Sequence, residues 1–237
     1  MRCAIAGIAL IGCVACSSGN GATAGATGGA TTGEAATGTT GGSGGTTTTG
    51  GTSSGGAIDG GPIVDPRDGQ TYTSIDIGNQ TWLGQNMNYA TDGGASYCYA
   101  NDTANCDTYG RLYTFAAAAT ACPPGWSLPS DQDWKTLETT LGMASNQLDV
   151  SGENTTRGTN QGTQIKVGGS SGFNAKFAGY ATGPDFQVQG SNGYFWTSTE
   201  VGGEIWRRHI DGQPYLFRFE NPPATFAISV RCLKTSN

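Results

Sequence analysis

The sequence predicts an α+β domain, two helices set among short and mainly antiparallel strands, and three observations lead there. Gly110 to Leu137 carries two helical signals separated by a stop. Short apolar segments bounded by Gly, Asn and Asp turn signals lie on both sides of it. Four cysteines, Cys98, Cys106, Cys122 and Cys232, form an even set spread across the same region.

The helices are the clearest elements. Tyr113 to Cys122 is rich in Ala and free of Gly, Pro and Asn, so it favours helix, and Pro123-Pro124 stops it at Cys122. Ser130 is then an N-cap, with Asp131 and Asp133 in a first turn whose dipole favours acids. Trp134, Leu137 and Leu141 follow at helical spacing and Gly142 terminates, so the second helix runs from Asp131 to Leu141. Ahead of them, Asp65 to Gly69 reads as a turn. Gln70 to Ile77 then has strand composition and Gly78-Asn79 fits a two-residue hairpin turn returning through Gln80 to Leu83. The cysteine-bounded stretch CYANDTANC reads as a loop.

Beyond the helices, Met143 to Gly193 is polar and rich in Gly, Asn, Thr and Ser, with apolar islands at Ile165 to Val167 and Phe173 to Tyr180. A stretch of that length with little regular structure is a candidate ligand-bearing region. Strands follow at Tyr194 to Thr199, Ile205 to Ile210, Tyr215 to Phe219 and Thr225 to Leu233, with a turn at Asp211-Gly212. In the last, Phe226, Ile228, Val230 and Cys232 share one face, which belongs in the core.

The first part of the chain has a different character. Residues 1–15 read as an export signal, with Arg2 as the positive start and Ala4 to Gly12 apolar but too short to span a bilayer. Leu10-Ile11-Gly12-Cys13 resembles a bacterial lipobox, in which the cysteine is lipidated. Cys16 is the alternative, and cleavage there leaves an even number of later cysteines; an ordinary secretory signal cut near Ala15 is a third reading. Residues 16–61 are almost entirely Gly, Thr, Ala and Ser and cannot bury enough apolar surface to offset their ordering entropy, so a disordered stalk is expected. As a Gly-rich coil it would span roughly 35 to 40 Å r.m.s.. Residues 62–237 then form one domain.

Export implies oxidation. Of the three connectivities open to the four cysteines, Cys98 with Cys106 and Cys122 with Cys232 needs the fewest assumptions. A net charge of −6 and a pI near 4.6 argue against a nucleic-acid partner and against electrostatic binding to anionic lipid, which leaves the N-terminal lipid as the membrane attachment.

Catalytic signals are sparse. His209 is the only histidine, so a zinc site with two histidines is excluded, and no Gly-x-Ser-x-Gly nucleophile motif accompanies it; it reads as a structural or surface residue. Asp185 with Glu200 or Glu204 is the carboxylate pairing an enzyme would need. Trp126, Trp134 and Trp196 read as core. Trp206 is followed by Arg207, Arg208 and His209, and Tyr215 is placed to approach it across a hairpin, which makes a surface suited to a sugar ring or a protein. The ligand-binding candidates are therefore Trp206, Tyr215, Arg208, Asp185 and Glu200.

Four segments in order, DGQTYTSIDIGNQTWLGQNMNYAT, GRLYTFAAAATACPPGWSLPSDQDWKTL, GFNAKFAGY and YFWTSTE, closely resemble the Fibrobacter succinogenes major paralogous domain, a family of exported bacterial modules, from Pro62 to the C-terminus. More distantly the arrangement resembles the C-type lectin-like fold. That resemblance implies two helices beside a small twisted sheet, neighbouring terminal strands, a disulfide from the first helix to the last strand at Cys122 and Cys232, and ligands held by the long polar segment. The calcium-lectin motifs are missing: Trp196 is followed by Thr197-Ser198, and Glu220-Asn221-Pro222 lies after that strand in the wrong order. No cofactor is therefore assigned, and calcium would need convergent oxygens elsewhere. The formylglycine-generating enzymes of similar fold need a reactive cysteine pair, which this chain lacks once both disulfides form.

The expectation is a monomeric, exported and lipid-anchored protein of the bacterial cell envelope, at the outer membrane or cell surface. Its stalk presents a noncatalytic module for polysaccharide or a surface protein. The alternatives are an extracellular glycan-active enzyme and a purely structural envelope component.

Overall fold

Gly78 and Asn79 turn the chain as their sequence predicts, Gly78 at φ 63°, between β3 (Ser74–Ile77) and β4 (Gln80–Leu83). This hairpin follows a two-stranded ribbon of β1 (Ile63–Val64) and β2 (Thr71–Tyr72). The structure is a computed structural model that describes residues 61–152, 156–220 and 225–235. The export signal, Cys13, Cys16 and the expected stalk lie outside the described residues.

Next come β5 (Ser96–Tyr97), α1 (Thr103–Tyr109), β6 (Leu112–Thr114), α2 (Phe115–Ala121), β7 (Trp126–Ser127) and α3 (Asp131–Thr140). Two of these correct the sequence reading. The stretch between Cys98 and Cys106 is more than a loop, because Asp102 accepts a hydrogen bond from Ala104 N and starts α1. The Ala-rich helix begins only at Phe115: Tyr113 and its neighbours pair with a strand of the core, Ile228 opposite Tyr113, and Thr114 caps the helix that follows. Ladder pairing in the core outweighs local propensity there. By contrast α3 keeps its predicted start, with a capping box in which Ser130 and Asp133 exchange hydrogen bonds.

The long polar segment contains α4 (Gln161–Ile165), β8 (Tyr180–Thr182) and β9 (Asp185–Gln187). The chain ends with β10 (Gly193–Val201), β11 (Glu204–Ile210), β12 (Phe217–Phe219), β13 (Phe226–Ser229) and β14 (Leu233–Lys234). The larger sheet runs β12-β11-β10-β13-β6-β5, with β8 also on β13 and β9 on β8; only the β10–β13 contact within it is parallel. The smaller sheet runs β3-β4-β14-β7. The described fold is thus α+β, built mainly from antiparallel sheets with few, short helices.

The expected last strand divides, β13 joining the large sheet and β14 the small one, and this division sets the two larger of three hydrophobic clusters among the described residues. Phe226, Ile228, Val230 and Cys232 face a cluster with Tyr113, Trp196 and the buried alanines of α2. Leu233 joins Trp82, Trp134, Phe173 and Phe195 in the second cluster. Both expected disulfides form: Cys98–Cys106 anchors α1, and Cys122–Cys232 ties the end of α2 to the C-terminal segment.

Candidate binding groove

The polar segment from Met143 to Gly193 is pinned to the fold rather than laid loosely over it. Arg157, buried, donates to both carboxylate oxygens of Glu138 at 3.0 and 2.5 Å and to the carbonyls of Leu148 and Leu216. Ile165 and Phe173 enter the second core. Between them the chain closes on itself, since Ala175 N donates to Ile165 O at 2.7 Å and Ser171 Oγ to Gln164 O. A Cβ at Gly169 would lie 2.2 Å from the Gln164 carbonyl, so only glycine permits that closure.

The closed loop sets Lys166 and Lys176 on one groove of about 370 Å³, with Val167, Phe177, Gly190 and, from α1, Tyr109. Its floor is more apolar than polar, and Val167 is 65% exposed. Tyr109 is held from behind, where Asn86 Nδ2 donates to its carbonyl at 2.9 Å, and α1 as a whole is fixed by the Cys98–Cys106 bridge. Lys176 Nζ donates to the carbonyl of Thr108, joining the loop to α1. Lys166 Nζ donates to the carbonyls of Asp211 and Gln213 at 2.8 and 2.7 Å and stands 6.0 Å from the centre of the Phe177 ring. Burial pushes the Lys166 ammonium below the usual lysine value, against the opposing pull of Asp211. Among the described residues neither lysine has a carboxylate within ion-pair distance.

A second groove of about 630 Å³ passes Arg67, Tyr89, Asp107 and Arg111. It carries both signs of charge, and Arg67 is already committed to Asp65 and to the Thr120 and Ala121 carbonyls while stacking on Tyr89 at 3.8 Å. The first groove brings together a half-buried aromatic ring, an apolar floor and two lysines with no ion pair among the described residues, whereas the second sets Arg111 beside Asp107 and an Arg67 already paired to Asp65.

The residues chosen from sequence do not assemble into a site. Arg208 is fully buried: Nε donates to Glu138 at 2.6 Å and Nη1 to Asp131 at 2.7 Å. Its assignment as a ligand-binding residue is therefore corrected to a structural one, because two interior carboxylates require it. Trp206 is half-buried with the Arg218 guanidinium 3.3 Å from its ring centre, which occupies one face. Tyr215 does not reach it. The β11–β12 register pairs Arg207 with Phe219 and His209 with Phe217, so Tyr215 falls roughly five strand positions, about 17 Å, from Trp206. Asp185 is exposed opposite Thr182, level with Phe226, whereas Glu200 lies beyond the Phe195–Ser229 pair, so the two sit toward opposite ends of the sheet.

His209 stacks on Tyr194 at 4.5 Å and against Phe217 at 5.3 Å, and its Nε2 is 2.7 Å from Asn192 Nδ2. Burial lowers its pKa to about 4, Asp211 opposing and Arg207 reinforcing the shift. Trp134 and Trp196 are core residues, and Trp126 is half-buried against the first cluster. Among the described residues no group of three or more His, Cys, Asp or Glu gathers to hold a metal.

Lys166, Lys176 and Phe177 were not singled out by sequence. The available signal was that these are the only lysines between Met143 and Gly193, each beside or inside an apolar island. Compared with known proteins, the chain matches the model of the Fibrobacter succinogenes major domain over residues 75–234, more than half its length. No curated protein and no solved structure matches it.

Proposed function

The chain belongs to the Fibrobacter succinogenes major domain family, and we propose that it is an exported, lipid-anchored module of the bacterial envelope that binds polysaccharide without catalysis. The observation that carries this reading is the groove of Tyr109, Phe177, Lys166 and Lys176. Ligand sites combine an apolar or aromatic lining with a few placed polar groups, and a pyranose offers matching faces and edges. The C-type lectin-like assignment belongs to the same reading. It is supported by the Cys122–Cys232 bridge, by the pairing of β4 with β14 near the two ends of the domain, and by the groove's position in the long polar segment. The stalk would hold the module away from the membrane and widen the volume in which it meets a fixed polymer.

An enzymatic role has less support. Burial would raise the Asp131 carboxyl, but hydrogen bonds from Arg218 and the charge of Arg208 hold it well below the usual carboxylate range, so it is a poor proton donor. Glu138 is likewise saturated, by Arg157 and Arg208.

The test is binding of the oxidised full chain to a panel of soluble and insoluble polysaccharides, with and without calcium. Saturable binding weakened at least tenfold by Phe177→Ala and by Val167→Asp, in folded variants, is expected. The Val167 change adds a charge at an exposed rim position, so it tests the groove with little demand on the fold. Absence of saturable binding, or binding indifferent to both variants, would overturn the reading.

A further inference from the structure

We propose that the groove takes a carboxylated sugar, a uronic acid unit of an acidic polysaccharide, an inference that rests on the polysaccharide-binding reading of the same groove. An ammonium has three donors. Lys166 directs two of them to the Asp211 and Gln213 carbonyls, and Lys176 directs one to the Thr108 carbonyl. Those bonds fix both heads at the rim and leave one donor on Lys166 and two on Lys176 for a ligand.

The setting makes these cations stand out. The chain has 12 Lys and Arg against 18 Asp and Glu, and Arg67, Lys135, Arg157, Arg208 and Arg218 are each paired to a carboxylate of the chain. Arg231 is buried among carbonyls and Asn86. Two ammonium groups without an acidic partner among the described residues share one groove on an acidic protein, and the Phe177 ring that lines it with them is half-buried. A uronate matches this on one rigid unit, because its ring carries a C–H face to lie on Phe177 and a carboxylate at the edge to accept from the lysines. An acidic peptide offers the carboxylate without the face, and a neutral sugar the face without the carboxylate.

The experiment titrates the oxidised full chain at fixed ionic strength with polygalacturonate, with its methyl ester, which keeps the ring and removes the charge, with polyglutamate, and with neutral glucans. Binding to polygalacturonate at least tenfold tighter than to the ester is expected. Lys176→Gln should close most of that gap, its amide still able to donate to Thr108, while Phe177→Ala should weaken both forms. Equal affinity for acid and ester, binding to neutral glucans alone, or polyglutamate binding as tightly as polygalacturonate would each overturn the uronate assignment; in the first two cases the polysaccharide reading survives. Failure to bind any of the sugars would overturn both.

Discussion

Replacing Glu138 by Ala removes the carboxylate that two buried guanidinium groups share. Arg157 loses its bonds at 3.0 and 2.5 Å and Arg208 its bond at 2.6 Å. Arg208 keeps Asp131, but Arg157 is left with only the Leu148 and Leu216 carbonyls. Breaking a buried ion pair from one side costs about 3–5 kcal/mol, mostly the price of an uncompensated interior charge. With one cation fully orphaned and one half-compensated, a loss of about 4 kcal/mol is expected, a large part of the roughly 5–15 kcal/mol that holds a domain together. Urea unfolding under oxidising conditions should show it as a lower midpoint at unchanged slope. The double variant Glu138→Ala with Arg157→Met removes the orphan as well as its partner, and should be at least about 1 kcal/mol more stable than Glu138→Ala alone. A single-variant loss under about 1 kcal/mol, or a double variant no better than the single one, would refute the view that α3 is held to β11 by compensated interior charge.

Four further expectations concern other buried contacts of the fold. His209 is the only histidine, so one imidazole resonance reports it, and it should titrate near pH 4. Because its native pKa lies below the unfolded value of about 6.5, its contribution is complete above that pH and lost as pH falls toward 4, about 3 kcal/mol in all; a native pKa of 6 or more would contradict its burial. Below pH 4 a second loss should come from Asp131, whose depressed carboxyl stabilises the fold above its unfolded value of 3.8 and ceases to as pH falls through its native one. Removing Cys122–Cys232, separated by 110 residues, should cost about 5 kcal/mol in the chain-entropy model, and Cys98–Cys106, separated by 8, roughly 2–3 kcal/mol; equal effects in paired Cys→Ala variants would count against that ordering. A Cβ at Gly162 would lie 1.9 Å from the Tyr215 carbonyl, so Gly162→Ala should destabilise by more than about 2 kcal/mol in thermal unfolding, and a neutral effect would show that α4 is free to move away.

What sequence reveals here follows the range of each interaction. The capping box at Ser130 and Asp133, the turn at Gly78-Asn79 and the shared face of Phe226 to Cys232 are local patterns, and the structure keeps them. Helix α1 escaped because Thr, Asn and Asp are poor helix formers, and a cap from Asp102 and a disulfide supply what propensity does not. Tyr113 reads as helix from sequence because its strand partner, Ile228, is more than a hundred residues away.

Arg208 resembled a surface residue among Trp206, Arg207 and His209. Its true neighbours were written on α3, where Asp131, Trp134 and Glu138 fall on one helical face, an acidic pair on a side otherwise headed for the core. The groove needed the tertiary structure, since nothing local tells that residues 165–175 close upon themselves and bring Lys166 beside Lys176 and Tyr109.

The most direct test of the binding groove is a backbone amide shift map of the oxidised ¹⁵N-labelled chain with trigalacturonic acid, and with maltotriose in parallel. Saturable shifts centred on Lys166, Val167, Lys176, Phe177 and Tyr109, larger for the acid sugar, are the predicted result. Shifts gathered at Trp206 and Tyr215 or in the groove beside Tyr89 would contradict it, as would an unperturbed spectrum with both sugars.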